Sequence, residues 1–248
     1  MRSSLVTLVA AGSLLGAAPL AAQMSTPAAA VKPSVFSLTP HIGMTTYGDL
    51  AKLSFSDDGS ISGFPATGNL SAKLDTQLSV GVGGEYQPLA SAWGIFGDFT
   101  RSGGDAAFSA TFCDPDFGCD SGKTEAEGSQ WRAAAGVTRR FGVGAVAVGK
   151  LSLGALYAKT HFEVKDPDAG VADIDESSPG GTVGLSLDFP LSGRVGIRLE
   201  GRDALVRVSG DSFAGDLNEL FAGTGLVVEK KDVWMNAFTF GGGLVLHW

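Results

Sequence analysis

Apolar and polar residues alternate along most of this chain with a period of two. From Lys73 to Tyr86 the even positions read Leu74, Thr76, Leu78, Val80, Val82, Gly84 and Tyr86. The odd positions read Lys73, Asp75, Gln77, Ser79, Gly81, Gly83 and Glu85. Successive strand side chains point to opposite faces, so this spacing predicts a β-strand with one apolar face and one charged or tiny face. The pattern returns at 130–141, where Trp131, Ala133, Ala135, Val137 and Phe141 oppose Gln130, Arg132, Thr138 and Arg140. At 182–191, Val183, Leu185, Leu187 and Phe189 oppose Thr182, Gly184, Ser186 and Asp188. At 194–202, Val195, Ile197 and Leu199 oppose Arg194, Arg198, Glu200 and Arg202. Near the C-terminus Trp234, Phe238, Phe240, Leu244, Leu246 and Trp248 share a face. Segments 35–47, 92–101 and 145–163 fit less cleanly. In the last, Val146 and Val148 fall out of phase with Leu151, Leu153 and Tyr157, which predicts a bulge.

The connections alternate in length. Gln87–Ser91, Gly142–Gly144 and Ser192–Gly193 are tight, whereas 48–70, 102–128, 164–180 and 210–232 are long and polar. Short turns at one end and long loops at the other predict an all-β, up-and-down antiparallel transmembrane barrel of about eight strands. The long loops are expected outside the cell and the short turns in the periplasm.

The N-terminus changes the picture. Met1-Arg2 precedes an apolar run from Leu5 to Ala18, then Pro19 and Leu20-Ala21-Ala22. This reads as a secretory signal peptide over 1–22, cleaved before Gln23. The run is shorter than the roughly 20 residues of a spanning helix. Residues 23–34 read as a short Ala/Pro linker and 35–248 as the barrel. No later apolar run approaches helix-spanning length, so membrane residence requires a closed barrel. The formal net charge of −8 argues against nucleic-acid binding, which wants a basic patch.

Aromatic placement separates a membrane barrel from a soluble one. Tyr86, Trp93, Phe141, Phe189 and Trp248 lie next to short turns or the chain end. Phe99, Trp131, Tyr157 and Trp234 lie toward the long segments. All are on or close to the apolar face, so folding makes two aromatic girdles at opposite rims. The opposite face then lines the lumen and carries Lys73, Asp75, Glu85, Asp98, Arg132, Arg140, Asp188, Arg198, Glu200 and Arg202. A narrow barrel is filled by its side chains, so these charges are expected to pair across it and plug it. Lys73 and Asp75 are expected to face Arg132, Glu200 and Arg202, and Glu85 and Asp188 to face Arg140 and Arg194.

The closing segment Gly243-Leu244-Val245-Leu246-His247-Trp248 is similar to the C-terminal assembly signal of outer-membrane proteins: Gly243, hydrophobic Leu246, terminal aromatic Trp248. With it, the chain after the linker resembles the small OmpA-like transmembrane β-barrel domain family, without that family's peptidoglycan-binding domain. The resemblance implies a cell outer-membrane protein in contact with outer-membrane lipid and lipopolysaccharide. It also implies assembly by periplasmic chaperones and the barrel-assembly machinery. A monomer is expected, with no nucleic-acid partner.

Chemistry-bearing residues are few. Cys113 and Cys119 are expected to form a small-loop disulfide in an exported protein. The acidic groups Asp114, Asp116 and Asp120, and Asp166, Asp168, Asp173, Asp175 and Glu176, lack EF-hand spacing and read as solvated loops rather than calcium sites. His41, His161 and His247 bring no catalytic motif with them, although His161, Ser177 and Ser178 would lie near the outer rim. No metal or cofactor is expected. Gly241-Gly242-Gly243 reads as close backbone approach rather than a phosphate loop. The leading expectation is a non-enzymatic structural or surface-interaction barrel. The alternative is a narrow pore or small-molecule transport barrel of OmpW-like type, and a barrel enzyme ranks third.

Overall fold

The computed structural model describes residues 36–57, 66–89, 91–114, 118–143, 146–166, 170–209, 215, 227–228 and 232–248. The expected signal peptide and linker fall outside the described residues, as does most of 210–231.

The alternating segments become strands β1 (Phe36–Tyr47), β2 (Asp49–Asp57), β3 (Ala66–Leu74), β4 (Gln77–Tyr86), β5 (Trp93–Asp114) and β6 (Gly118–Val143). They continue as β7 (Ala147–Asp166), β8 (Gly170–Pro190), β9 (Val195–Val208), β10 (Val227–Val228) and β11 (Val233–His247). Eight of them, β1, β4, β5, β6, β7, β8, β9 and β11, close an antiparallel ring in chain order. Closure is made at Met44, which pairs with Leu78 on one side and Phe240 on the other. β2 and β3 form a hairpin beyond β1 and β4, and β3 lies along the outer half of β5, from Leu74 opposite Ala106 to Thr67 opposite Cys113.

Three segments expected to be loops are strands instead. Residues 49–57 and 66–74 form the β2–β3 hairpin, and β5–β6 and β7–β8 run on to Asp114–Gly118 and Asp166–Gly170. β6 has 26 residues, against roughly 9–11 needed to span a bilayer. The long polar connections are therefore tall hairpins standing on the barrel. Gly118, with φ of 86°, closes the β5–β6 hairpin in a conformation that side chains disfavour.

Among the described residues of 145–163 the expected bulge is absent: β7 keeps unbroken register with β6 and β8, and half-buried Val148 takes the inward phase. Irregularity sits instead at Asp49–Ala51 and between β3 and β4.

The outer wall is the apolar one. Leu78 and Leu153 are 59% and 62% exposed, whereas inward Thr45 and Ser79 are 0%. A barrel solvated by water outside would show the reverse. An apolar outer band around a polar interior is the arrangement a bilayer solvates. Gly243 sits where this wall closes: a Cβ there would collide with the Pro40 carbonyl oxygen.

Candidate functional site

The lumen is the candidate site, and it is built in tiers. Nearest the short turns, β4, β7, β8 and β9 each send one charged side chain inward. Lys150 Nζ lies 2.6 Å from Glu85 Oε2 and 2.9 Å from Asp188 Oδ2. Arg198 donates from Nε to Asp188 Oδ1 at 2.6 Å, and from Nη2 to Asp188 Oδ2 at 2.9 Å and Glu85 Oε2 at 3.2 Å. All four are buried. Two cations and two carboxylates make this tier neutral, and the bidentate Arg198–Asp188 pair fixes its geometry.

The next tier is centred on Asp98. Arg202 Nη1 lies 2.6 Å from Asp98 Oδ1, and Arg202 Nη2 lies 2.7 Å from Glu200. The same guanidinium sits 5.6 Å from the Phe96 ring. Thr100 Oγ1 donates to Asp98 at 2.8 Å, and His41 Nε2 lies 3.9 Å from it. Arg132, opposite Thr100 and so further out than Asp98, donates to the hydroxyls of Thr45 at 3.2 Å and Thr239 at 2.9 Å. A cavity of about 30 Å³ lies beside Asp98, Arg132 and Arg202, and one of about 20 Å³ beside Glu85 and Lys150. Such volumes hold about one to three waters each.

Beyond these tiers the interior turns apolar. Leu74, Phe162, Val206 and Met235 are all 0% exposed, and they join Phe108, Tyr47 and a set of alanines in one cluster. Phe108 and Phe162 meet edge to face at 5.5 Å. Gln77 and Gln130 border this layer, donating to the Gly128 carbonyl at 3.1 Å and to Thr160 Oγ1 at 2.8 Å.

The structure therefore places the expected lumen residues unevenly. Glu85, Asp98, Arg132, Asp188, Arg198, Glu200 and Arg202 point inward, although Arg132 meets the hydroxyls of Thr45 and Thr239 rather than Lys73 and Asp75. Lys73 and Asp75 do not line the lumen: both are exposed. The irregularity at Asp75–Thr76 shifts the phase by one residue, so Leu74 and Gln77 both face in. Arg140 stays at the rim on the Leu89 carbonyl at 3.5 Å, and Arg194 is exposed. Their expected places opposite Glu85 and Asp188 are taken by Lys150 and Arg198. Sequence reasoning missed Lys150, although the outward Leu151 and Leu153 already implied that residue 150 faces in.

The expected girdle aromatics all face outward. Tyr86, Trp93, Phe141 and Trp248 are exposed at the turn end with Phe189 half-buried, and Phe36 meets Trp248 at 5.8 Å. At the other rim Phe99, Trp131 and Tyr157 form a continuous shelf, with ring separations of 6.1 and 5.6 Å. Trp234 is exposed on β11. Leu246 continues the C-terminal outward face.

Further out, Cys113 and Cys119 form a disulfide across the hairpin end. His161 and Asp175 pair at 3.1 Å on the outer face, and Lys159 lies 3.2 Å from the same carboxylate. Desolvation pushes the Asp175 carboxyl up, but hydrogen bonds from Lys159 and His161 outweigh it and hold it below the usual value. Ser178 faces inward and donates to Glu176 at 3.2 Å. His161 and Ser178 thus occupy opposite sides of the sheet, whereas Ser177, opposite Lys159 in register, is exposed on the same face as His161. Among the described residues no three His, Cys, Asp or Glu side chains gather as a metal-binding group. Asp116 and Asp168 lie outside the described residues.

No protein-family model and no curated protein matches the chain. Among solved structures, it is similar to Ail, the attachment invasion locus protein of Yersinia pestis, at 14% identity over 85% of this chain and 99% of that one, TM-score 0.40. It is similar to Neisserial surface protein A at 15% identity over 87% and 98% of the two chains, TM-score 0.41. It is also similar to the outer membrane protease OmpT from Escherichia coli, at 10% identity over 88% and 100%, TM-score 0.43.

Proposed function

We propose that this chain is an outer-membrane β-barrel of a diderm bacterium, with a structural or surface-interaction role and a closed lumen. The observation that carries this reading is the interior: a neutral tetrad at Glu85, Lys150, Asp188 and Arg198, a second charged tier at Asp98 and Arg202, and an apolar layer at Leu74 and Phe162. Unpaired ions cost several kcal/mol in such an interior, so paired tiers resist the hydration a conducting pathway needs.

The same reading has the 1–22 segment exporting the chain and the barrel-assembly machinery inserting it, with Trp248 completing the terminal signal. Kinship with OmpA-like domains belongs to this proposal, as does contact with lipopolysaccharide. A non-enzymatic role belongs to the same proposal. The second reading, a narrow pore, is favoured by the two water-sized cavities stacked within the charged tiers.

Planar-bilayer recording of the refolded protein separates the two. A closed barrel gives no steady conductance at any salt concentration. A steady current proportional to salt would overturn the closed-lumen reading and promote the pore.

A further inference from the structure

We infer that copies of this chain associate side by side in the membrane, Arg101 of one barrel meeting Asp203 of the next. The inference rests on the reading that places the outer wall in lipid. Among the described residues, two ionisable side chains lie on the apolar part of that wall without an ion pair. Arg101, exposed on β5, stands between Val80 of β4 and Trp131 of β6. Asp203 stands on β9 between Val183 of β8 and Phe238 of β11, and outward Leu205 follows it toward the loops. Asn236 is its polar neighbour, yet its Oδ1 is buried without a hydrogen-bond partner. Charged groups against lipid are costly until they are paired. The outward charges around them are already engaged: Lys159 by Asp175, Arg207 by Asp232, and Arg139 over the Trp93 ring.

All copies stand the same way up in a membrane, so only groups at one height can meet. Register supplies the height. From Phe36 on β1, successive in-register partners pass Ile95 on β5 and Asp203 on β9, then return to β1 at Thr46. Eight strand-to-strand steps therefore climb ten residues toward the loops. The four steps from Ile95 to Asp203 climb about five residues, and Arg101 lies six beyond Ile95 on its own strand. Arg101 and Asp203 thus stand within about one residue of the same height, roughly 3 Å, on opposite sides of the barrel.

A guanidinium and a carboxylate at one height and half a turn apart fit a head-to-tail contact. Such a contact repeats as a row rather than closing as a pair. Gly201 and Gly181 flank Asp203 on the outer face, so a long side chain from a neighbour approaches the carboxylate closely. The row replaces the expected monomer where copies share a bilayer.

The test uses the protein refolded into phosphatidylcholine vesicles. Donor- and acceptor-labelled copies are mixed, and Förster transfer is read against protein density. Wild type is expected to associate, and R101D or D203R alone to lose about tenfold in association constant. An equimolar mixture of R101D and D203R is expected to regain it, since each variant carries the charge the other lacks. R101Q breaks no ion pair within the barrel and is expected to weaken association likewise, which keeps the test decisive if a charge reversal hinders folding. Amine cross-linking of wild type is expected to give a ladder past dimer. Unchanged transfer in the single variants overturns the contact, as does a mixture no stronger than either variant alone. A ladder that stops at dimer overturns the head-to-tail geometry. A wild type that inserts without transfer above the random level sinks this inference alone, whereas one that does not insert sinks the outer-membrane reading and the row with it.

Discussion

Replacing Arg198 by Leu tests the lumen most directly. The substitution removes three hydrogen bonds, at 2.6, 2.9 and 3.2 Å, from a buried tetrad of two cations and two carboxylates. Lys150 then faces both Glu85 and Asp188, and one negative charge is left unmatched. Breaking one side of a buried ion pair costs about 3–5 kcal/mol. The adjoining cavity of about 20 Å³ admits water to the vacated position and moves the cost toward the low end, about 3 kcal/mol. For a chain of this size that lowers the melting midpoint by roughly 6–12 °C. The double variant R198L/D188L leaves Lys150 with Glu85, a balanced pair, and is expected to lie within about 1 kcal/mol of wild type. Urea titration of refolded protein in micelles, read by heat-modifiable gel mobility, supplies the four corners of the cycle. A double variant as unstable as R198L, or an R198L within about 0.5 kcal/mol of wild type, would refute charge matching as what holds this tier.

Three further outcomes are expected. Gly128→Val drives a Cβ into Leu74 and crowds Ala106, so the folded barrel loses about 1–3 kcal/mol, measured in the same urea titration; an unchanged midpoint contradicts the packing of the apolar layer. Trp248→Asp removes the terminal aromatic and its ring contact with Phe36, so the yield of heat-modifiable barrel in the outer-membrane fraction falls; normal yield counts against its role in assembly. Asp175 titrates below 3.8, so the stability it adds is present above that pH and lost as pH falls through its folded value; because the pair is exposed, the amount is a few tenths of a kcal/mol. Carboxyl-carbon NMR should show K159Q returning Asp175 toward the ordinary value, and no movement refutes the cause assigned.

Where lipid-facing alternation is strict, the sequence and the structure agree residue by residue. Val183, Leu185, Leu187 and Phe189 face out while Thr182, Gly184, Ser186 and Asp188 face in, because a strand with one wall in hydrocarbon has no freedom of phase. The run Leu74, Thr76, Leu78 shows the limit. It is compatible with an unbroken strand, yet an extra residue at Asp75–Thr76 sends Leu74 inward, and Lys73 and Asp75 leave the lumen. Lys150 was hidden by a bulge inferred from Val146 and Val148; Val146 instead sits exposed in the turn before β7, and Val148 takes the same inward phase as Lys150. The tall hairpins were unreadable for a related reason: polar residues on the outer face, such as Asp105, Glu125, Glu127, Asp175 and Ser177, look like loop composition when only one face is considered.

That last difficulty carries information about where the membrane ends. On β7 the outward residues are Leu151, Leu153 and Tyr157, then Lys159, His161 and Glu163. Inward along the same unbroken strand come Lys150 and Ser152, then Leu156, Ala158 and Phe162. The apolar face therefore changes sides without any change in backbone phase. On β6 it changes in the same region, from outward Ala133 and Val137 to inward Ala126, with Glu125 and Glu127 facing out. A strand leaving hydrocarbon for water must exchange its faces in this way, since the outer wall gains a polar solvent and the interior becomes an ordinary core. The exchange falls at Trp131 and Lys159. On the β3–β4 side the chain reaches the same arrangement by the one-residue irregularity, which turns Leu74 into the core and leaves Lys73 and Asp75 in solvent. The two devices differ in place: the irregularity lies opposite Asp105, beyond Arg101 on β5, whereas the β7 exchange falls at Lys159, in register with Trp131 and Arg101.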